Sequence, residues 1–260
     1  MRHLLILVLF LVSSPAAACG PDSDCILGDR TYRIAMPGGT PEGAILYLHG
    51  YRGSAAGAMR NNSMRALARE LGIALVAGKS YANDWRIPGV PRNRDTDGLL
   101  EYTYFEALAT ALRDRHGIPS DRVLVTGFSA GGMMVWSLAC NRGHLFRAYA
   151  PISGTFWAPV PESCPSDPVD LMHIHGTSDP VVPLTGRKIA NTKQGEVPKA
   201  LALFTRLGGF QTPVTVPAGE LDCTRRSNAQ GRILEFCTHP GGHSFRTDYI
   251  RRAWEELMPR

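Results

Sequence analysis

Beyond residue 18 the chain has no uncharged apolar run of the ~20 residues that a membrane-spanning helix needs. Stable membrane insertion is therefore not expected. No Cys-x-x-Cys pair occurs, which argues against zinc ribbons and thioredoxin-like redox chemistry. Neither sign of charge dominates, with 28 Lys and Arg against 23 Asp and Glu and a formal charge of +5. The arginines form no stripe and are not interleaved with aromatics, so no nucleic-acid partner is expected. No internal repeat and no linker divides the chain.

The first 18 residues carry a positive start at Arg2, an apolar core from Leu4 to Val12, and small residues at Ala16, Ala17 and Ala18. This is the pattern of a signal peptide over 1–18. It predicts a secreted or periplasmic protein that starts near Cys19, with a lipidated Cys19 as the alternative. The remainder, 19–260, suits one large α/β domain. All six cysteines (Cys19, Cys25, Cys140, Cys164, Cys223 and Cys237) lie in it. An even count in an exported chain points to disulfides. Fifteen pairings are possible, and sequence proximity suggests 19–25, 140–164 and 223–237. A loop the size of 140–164 would gain roughly 3 kcal/mol by the chain-entropy model.

Apolar, β-rich runs alternate with helical patterns. Strands are expected at 45–48, 73–77, 122–126, 148–152 and 171–174, and helices at 59–71, 99–112, 131–139 and 200–207. Ile250, Ala253, Trp254 and Leu257 mark one face of a last helix. Such alternation predicts a mostly parallel central sheet with helices on both faces. Segments 81–97, 155–167 and 184–197 interrupt it, each after a strand. They should lie at the carboxyl edge of the sheet, where open α/β sheets bind ligands.

The stretch "VLVTGFSAGGMM" sets Ser129 between glycines, between an expected strand and an expected helix. That is the context a G-x-S-x-G nucleophile requires. The Ala130 N–H, at the helix start, is placed to stabilise an oxyanion. A serine needs a base and the base an orienting acid, in chain order Ser, Asp, His. Asp179 follows the 171–174 strand in a turn fixed by Pro180. Asp167 and Asp170 come too early, Asp222 lies beside Cys223, and Asp248 falls in the last helix. For the base, "CTHPGGHSF" offers His239 and His243. Pro240 holds His239 extended, whereas Gly241 and Gly242 let His243 bend over the sheet edge, so His243 is chosen. His49-Gly50-Tyr51, after an early strand, supplies the second oxyanion donor at the Tyr51 N–H, with His49 bracing the loop. Trp85 and Trp157 are candidates to stack on a substrate ring. His173 and His175 share a strand face as metal ligands can, but no further ligands have suitable spacing. No metal or other cofactor is expected.

Taken together, "LYLHGYRGS", "GFSAGGMM", "HGTSDPVVP" and "GGHSF" resemble secreted α/β-hydrolases of the polyhydroxybutyrate depolymerase and feruloyl esterase type. The resemblance implies an α/β-hydrolase fold. It also implies a Ser129–His243–Asp179 triad with oxyanion donors at Tyr51 and Ala130, and a small or oligomeric ester as substrate. One departure is that Tyr51-Arg52-Gly53 follow Gly50 where depolymerases often carry a cysteine and a glutamine. The expected protein is an exported, monomeric serine esterase. Acyl transfer by the same triad is the second reading, and a non-catalytic binding module the third.

Overall fold

A computed structural model describes residues 19–82, 84–92 and 96–258. The signal peptide read from 1–18 lies outside them. In chain order the strands are β1 (Cys25–Leu27), β2 (Arg30–Ala35), β3 (Ala44–Leu48), β4 (Ala74–Gly78), β5 (Val123–Phe128), β6 (Ala148–Ile152) and β7 (Asp170–Gly176). They continue with β8 (Lys188–Ile189), β9 (Thr192–Lys193), β10 (Val214–Val216), β11 (Asp222–Ser227) and β12 (Ile233–His239). The helices are α1 (Ala55–Met59), α2 (Asn62–Glu70), α3 (Leu99–His116), α4 (Ala130–Asn141), α5 (Val197–Gly208) and α6 (Thr247–Leu257).

Ten strands form one sheet in the order β1-β2-β4-β3-β5-β6-β7-β12-β11-β10, and β8 pairs with β9 apart from it. From β4 across to β12 neighbouring strands are parallel. At both edges the pairing turns antiparallel. Alternate residues of the central strands feed two apolar layers, as the two-residue side-chain period of a strand requires. Leu46, Leu48 and Val76 pack with α3, α4 and α5, while Ile45, Tyr47 and Leu75 pack with α1, α2 and α6. Covered on both faces, β3 and β4 are buried along their whole length, which is why they read as unbroken apolar runs.

The helix expected over 59–71 is in fact two. The Asn61 side chain accepts the Met64 N–H at 3.1 Å and caps a new helix there. Helix α3 runs on to His116 and stops at Gly117, whose φ of 68° closes the last turn. The edge strands β1 and β10 have only three residues each, too few for a periodic signal, and β11 is mostly polar, reading DCTRRS. Cys223 and Cys237 face each other across β11 and β12 and are bonded. Cys19 is bonded to Cys25 and Cys140 to Cys164. Among the described residues no cysteine is free and no helix is long and apolar enough to cross a membrane.

Candidate active site

Four strand ends converge at the carboxyl edge of the sheet, and each carries one of the residues singled out above. β5 ends at Phe128 and the chain turns into α4 through Ser129, at φ 58° and ψ −119°. This is a region that side-chain-bearing residues seldom occupy. The residues two places to either side of it must be glycine because the backbone passes so close. A Cβ on Gly131 would lie 1.9 Å from Leu48 O, and one on Gly127 would lie 2.7 Å from the Gly131 carbonyl. The turn is held at both ends: Ser129 N donates to Ile152 O at 3.0 Å, and Met133 N donates to Ser129 O at 2.9 Å. No capping bond engages the serine side chain, and Ser129 lines a cavity of about 320 Å³.

Asp179 and His243 come from adjacent strands. β7 and β12 run parallel with His239 opposite Gly176, so the loops that leave them start side by side. Backbone bonds join these loops: Thr177 N donates to His239 O at 2.8 Å, and Ser178 N to Gly241 O at 3.2 Å. Asp179 is buried. Its Oδ1 accepts the Val181 and Val182 N–H groups at 2.8 Å each. Its Oδ2 accepts from His243 Nδ1 at 2.7 Å. The His243 ring lies over Phe128, the residue before Ser129, with centroids 4.5 Å apart.

His239 does not meet Asp179 in this way. It stacks on Tyr249 at 5.5 Å, and its Nδ1 accepts the Gly241 N–H at 3.1 Å. Burial holds its pKa below the ordinary histidine value.

The loop after β3 passes beside the serine. A Cβ on Gly50 would sit 3.6 Å from Ser129 Cβ. The Gly50 carbonyl accepts from Gly53 N at 2.9 Å and from His49 Nδ1 at 2.9 Å. In a trans peptide C=O and N–H point opposite ways, so pinning this carbonyl directs the Tyr51 N–H away from the loop interior. His49 Nε2 accepts the Ser80 N–H at 3.3 Å, which fixes the tautomer that donates from Nδ1. Burial keeps that imidazole neutral by lowering its pKa.

The two tryptophans part company. Trp157 lines the cavity with Ile87, Val90, Met133, Val182 and Ile189. Trp85 does not. It is 1% exposed, stacks on His49 and Phe105, and donates Nε1–H to His49 O at 2.8 Å. Its expected stacking on substrate is therefore corrected: a ring sealed between two others has no face to offer.

The sequence reading missed Asp84 and Gln194, both on the cavity wall. Burial pushes the Asp84 carboxyl up to about 6 despite the bond it accepts from Trp85 N. No pattern marks Asp84, which sits in the irregular 81–97 segment. Arg86 and Arg92 lie over the rings of Tyr81 and Tyr51, at 4.0 and 5.2 Å from the centroids. His173 and His175, weighed as metal ligands, have each ring nitrogen within 2.9 Å of a nitrogen or oxygen of the protein. A serine on a strained corner, an imidazole tied to a buried carboxylate, and backbone N–H groups nearby are the parts that acyl chemistry uses.

Residues 102–199 match the phospholipase/carboxylesterase family. Feruloyl esterase C of Emericella nidulans is 27% identical over 230 residues, spanning 84% of this chain and 77% of that protein. Feruloyl esterase D of Neurospora crassa is 37% identical over 148 residues, spanning 55% of this chain and 47% of that one. Among solved structures, the acetyl xylan esterase from Aspergillus awamori superposes with a TM-score of 0.63 at 14% identity. It covers 92% of this chain and 96% of that one. The chain has the α/β-hydrolase fold and resembles esterases of the feruloyl type.

Proposed function

We propose that the protein is an exported carboxylic ester hydrolase that works through an acyl-enzyme on Ser129. The observation that carries this reading is the 2.7 Å bond from His243 Nδ1 to buried Asp179, with the imidazole 4.5 Å from the ring of Phe128, the residue before Ser129. His243 takes the Ser129 proton as the hydroxyl attacks the ester carbonyl. Asp179 orients the ring and stabilises its charge. The Tyr51 and Ala130 N–H groups hold the oxyanion, and water then releases the acid by the same base. Residues 19–260 act as one catalytic domain, a reading supported by the single sheet that draws strands from β1 to β12.

The apolar cavity beside Ser129 suits an aliphatic or aromatic acyl group, and the feruloyl esterases among the relatives favour the aromatic kind. Three disulfides fit an oxidising compartment. The Cys19 sulfur is bonded to Cys25, and one sulfur cannot also hold a lipid thioether, which favours the soluble form. The test is a fluorophosphonate probe together with a panel of p-nitrophenyl esters. Ser129 should be labelled and turnover should vanish in Ser129→Ala. Undiminished labelling in the alanine variant would end the assignment. Adding alcohol acceptors to the same assays separates hydrolysis from acyl transfer.

A further inference from the structure

His173 and His175 lie on the same face of β7, and both are fully buried. They form a chain that ends at the acid. His173 Nδ1 faces Pro151 O at 2.9 Å, His173 Nε2 faces His175 Nδ1 at 2.9 Å, and His175 Nε2 faces Val182 O at 2.7 Å. His175 Nε2 is also 3.5 Å from Asp179 Oδ2, the oxygen that receives His243. The Val182 peptide it binds belongs to the turn whose Val181 and Val182 N–H groups hold the other Asp179 oxygen. The pair therefore touches the carboxylate twice, once directly and once through the turn.

Proton counting fixes the tautomers. Two oxygens face His175 Nε2, one of them a carboxylate, so the hydrogen sits there. A neutral His175 then has a bare Nδ1, which must accept from His173 Nε2–H. Both rings are thus Nε2–H tautomers and donate in one direction, toward Asp179. The contact at Pro151 O gains a proton only if the pair takes up a third one. Full burial of His173 opposes that by pushing its pKa well below the ordinary histidine value. Phe236 stacks on the His173 ring with an interplanar angle of 9°, and Trp136 packs against it at 5.3 Å. These neighbours leave the ring little room to turn.

We propose that His173 and His175 are a buried positioning relay for Asp179, in which a one-directional chain of N–H donors sets the carboxylate and its turn in place for His243. Neither histidine touches substrate. The proposal rests on the Ser129–His243–Asp179 reading and adds residues that reading does not use. The charged or titratable groups around the relay are Asp179 on the turn after β7, His239 at the end of β12 and His243 on the following loop.

The test compares His175→Phe, which keeps a ring and loses its N–H, with His175→Gln, which keeps a donor. His175→Phe should lower kcat at least tenfold with KM nearly unchanged. The displaced carboxylate would no longer support the His243 imidazolium, so the acid limb of kcat/KM should move to lower pH. The downfield proton resonance of the His243 Nδ1–H bond should be lost. His175→Gln should restore kcat to within a few-fold and recover that resonance. The proposal is overturned if folded His175→Phe keeps the wild-type kcat, acid limb and resonance, or if Gln is as damaging as Phe. Should the phenylalanine variant fail to fold, ¹⁵N-histidine spectra of the wild-type protein decide, with His175→Gln used for assignment. Both rings must be Nε2–H tautomers, and an Nδ1–H tautomer at His175 sinks the relay. Ser129→Ala serves as control: if it retains turnover the triad reading fails, while the tautomers and the His243 resonance still judge the relay.

Discussion

Replacing Ser129 with glycine should make the protein more stable and inactive. The serine sits at φ 58° and ψ −119°, and a side-chain-bearing residue in such a region costs on the order of 1–3 kcal/mol. Glycine removes that strain but loses more backbone entropy on folding, about 0.5–1 kcal/mol. The backbone bonds to Ile152 O and from Met133 N survive the change, and no side-chain capping bond is lost. At the midpoints of these ranges the net gain is about 1 kcal/mol. At roughly 2–4 °C per kcal/mol for a domain of this size, Tm should rise by about 2–4 °C. Ser129→Ala is the essential comparison. It removes the hydroxyl and keeps the Cβ, so it retains the strain and should match the wild type to within a few tenths of a kcal/mol. Urea unfolding of the three proteins, with disulfides intact and m unchanged, measures the difference. A glycine variant no more stable than the alanine variant would refute the claim that this corner stores strain.

The two histidines of the last loop should separate in kinetics. His243→Ala should lose several orders of magnitude in kcat, as loss of the serine does, because such a set acts as a unit. His239→Ala should stay within about tenfold and instead lose about 1–3 kcal/mol of stability, since a buried ring stacked on Tyr249 is removed; equal kinetic damage from both would move the base. Stability should fall on mild acidification. Burial lowers the native pKa of His49, His173, His175 and His239, so their contribution is complete above the unfolded value of about 6.5. It is lost as pH drops from there through the lower native values. A Tm that does not decline between pH 7.5 and 5 would contradict this. Asp84 has the opposite sign. Its carboxyl is pushed up to about 6, so its charged form burdens the fold above that pH, and Asp84→Asn should raise Tm at pH 8 and leave it unchanged at pH 4. Removing the Cys140–Cys164 link by paired serine substitution should cost roughly 3 kcal/mol. It should also raise KM more than it lowers kcat, because Cys164 anchors the segment that carries Trp157 to the end of α4. An unchanged KM would detach that wall from substrate binding.

The parts of the site that could be read from sequence are those that local chemistry dictates. Only glycine can stand at 127 and 131, where Leu48 O and the Gly131 carbonyl leave no space for a Cβ, and that need is written in the motif. Asp179 is legible because a strand stops and a proline fixes the next turn. What could not be read depends on which strands lie side by side. The residue that faces His239 is Gly176, far away in sequence, and nothing in either segment announces the other. The edge strands were missed for a similar reason. β1, β2, β10 and β11 are stabilised by pairing and, at β11, by a disulfide, more than by an apolar pattern of their own.

The histidines make the same point most sharply. His173 and His175 look alike in sequence, spaced as metal ligands are, and His239 and His243 look like interchangeable bases. Their chemistry is decided by what stands opposite each nitrogen. His243 has a carboxylate at Nδ1, while His239 has a backbone N–H there and a tyrosine against its face, so only the first can be held as an orientable base. His173 and His175 face each other and two carbonyls. Four imidazoles thus lie at one short sheet edge, β7 beside β12, and the register of that pair is what brings His243 to Asp179. A single-residue slip of β12 against β7 would turn the side chains of β12 to the opposite face of the sheet and carry the loop that bears His243 away from its place beside Asp179. The pairing of these two strands therefore determines the site as much as any motif does.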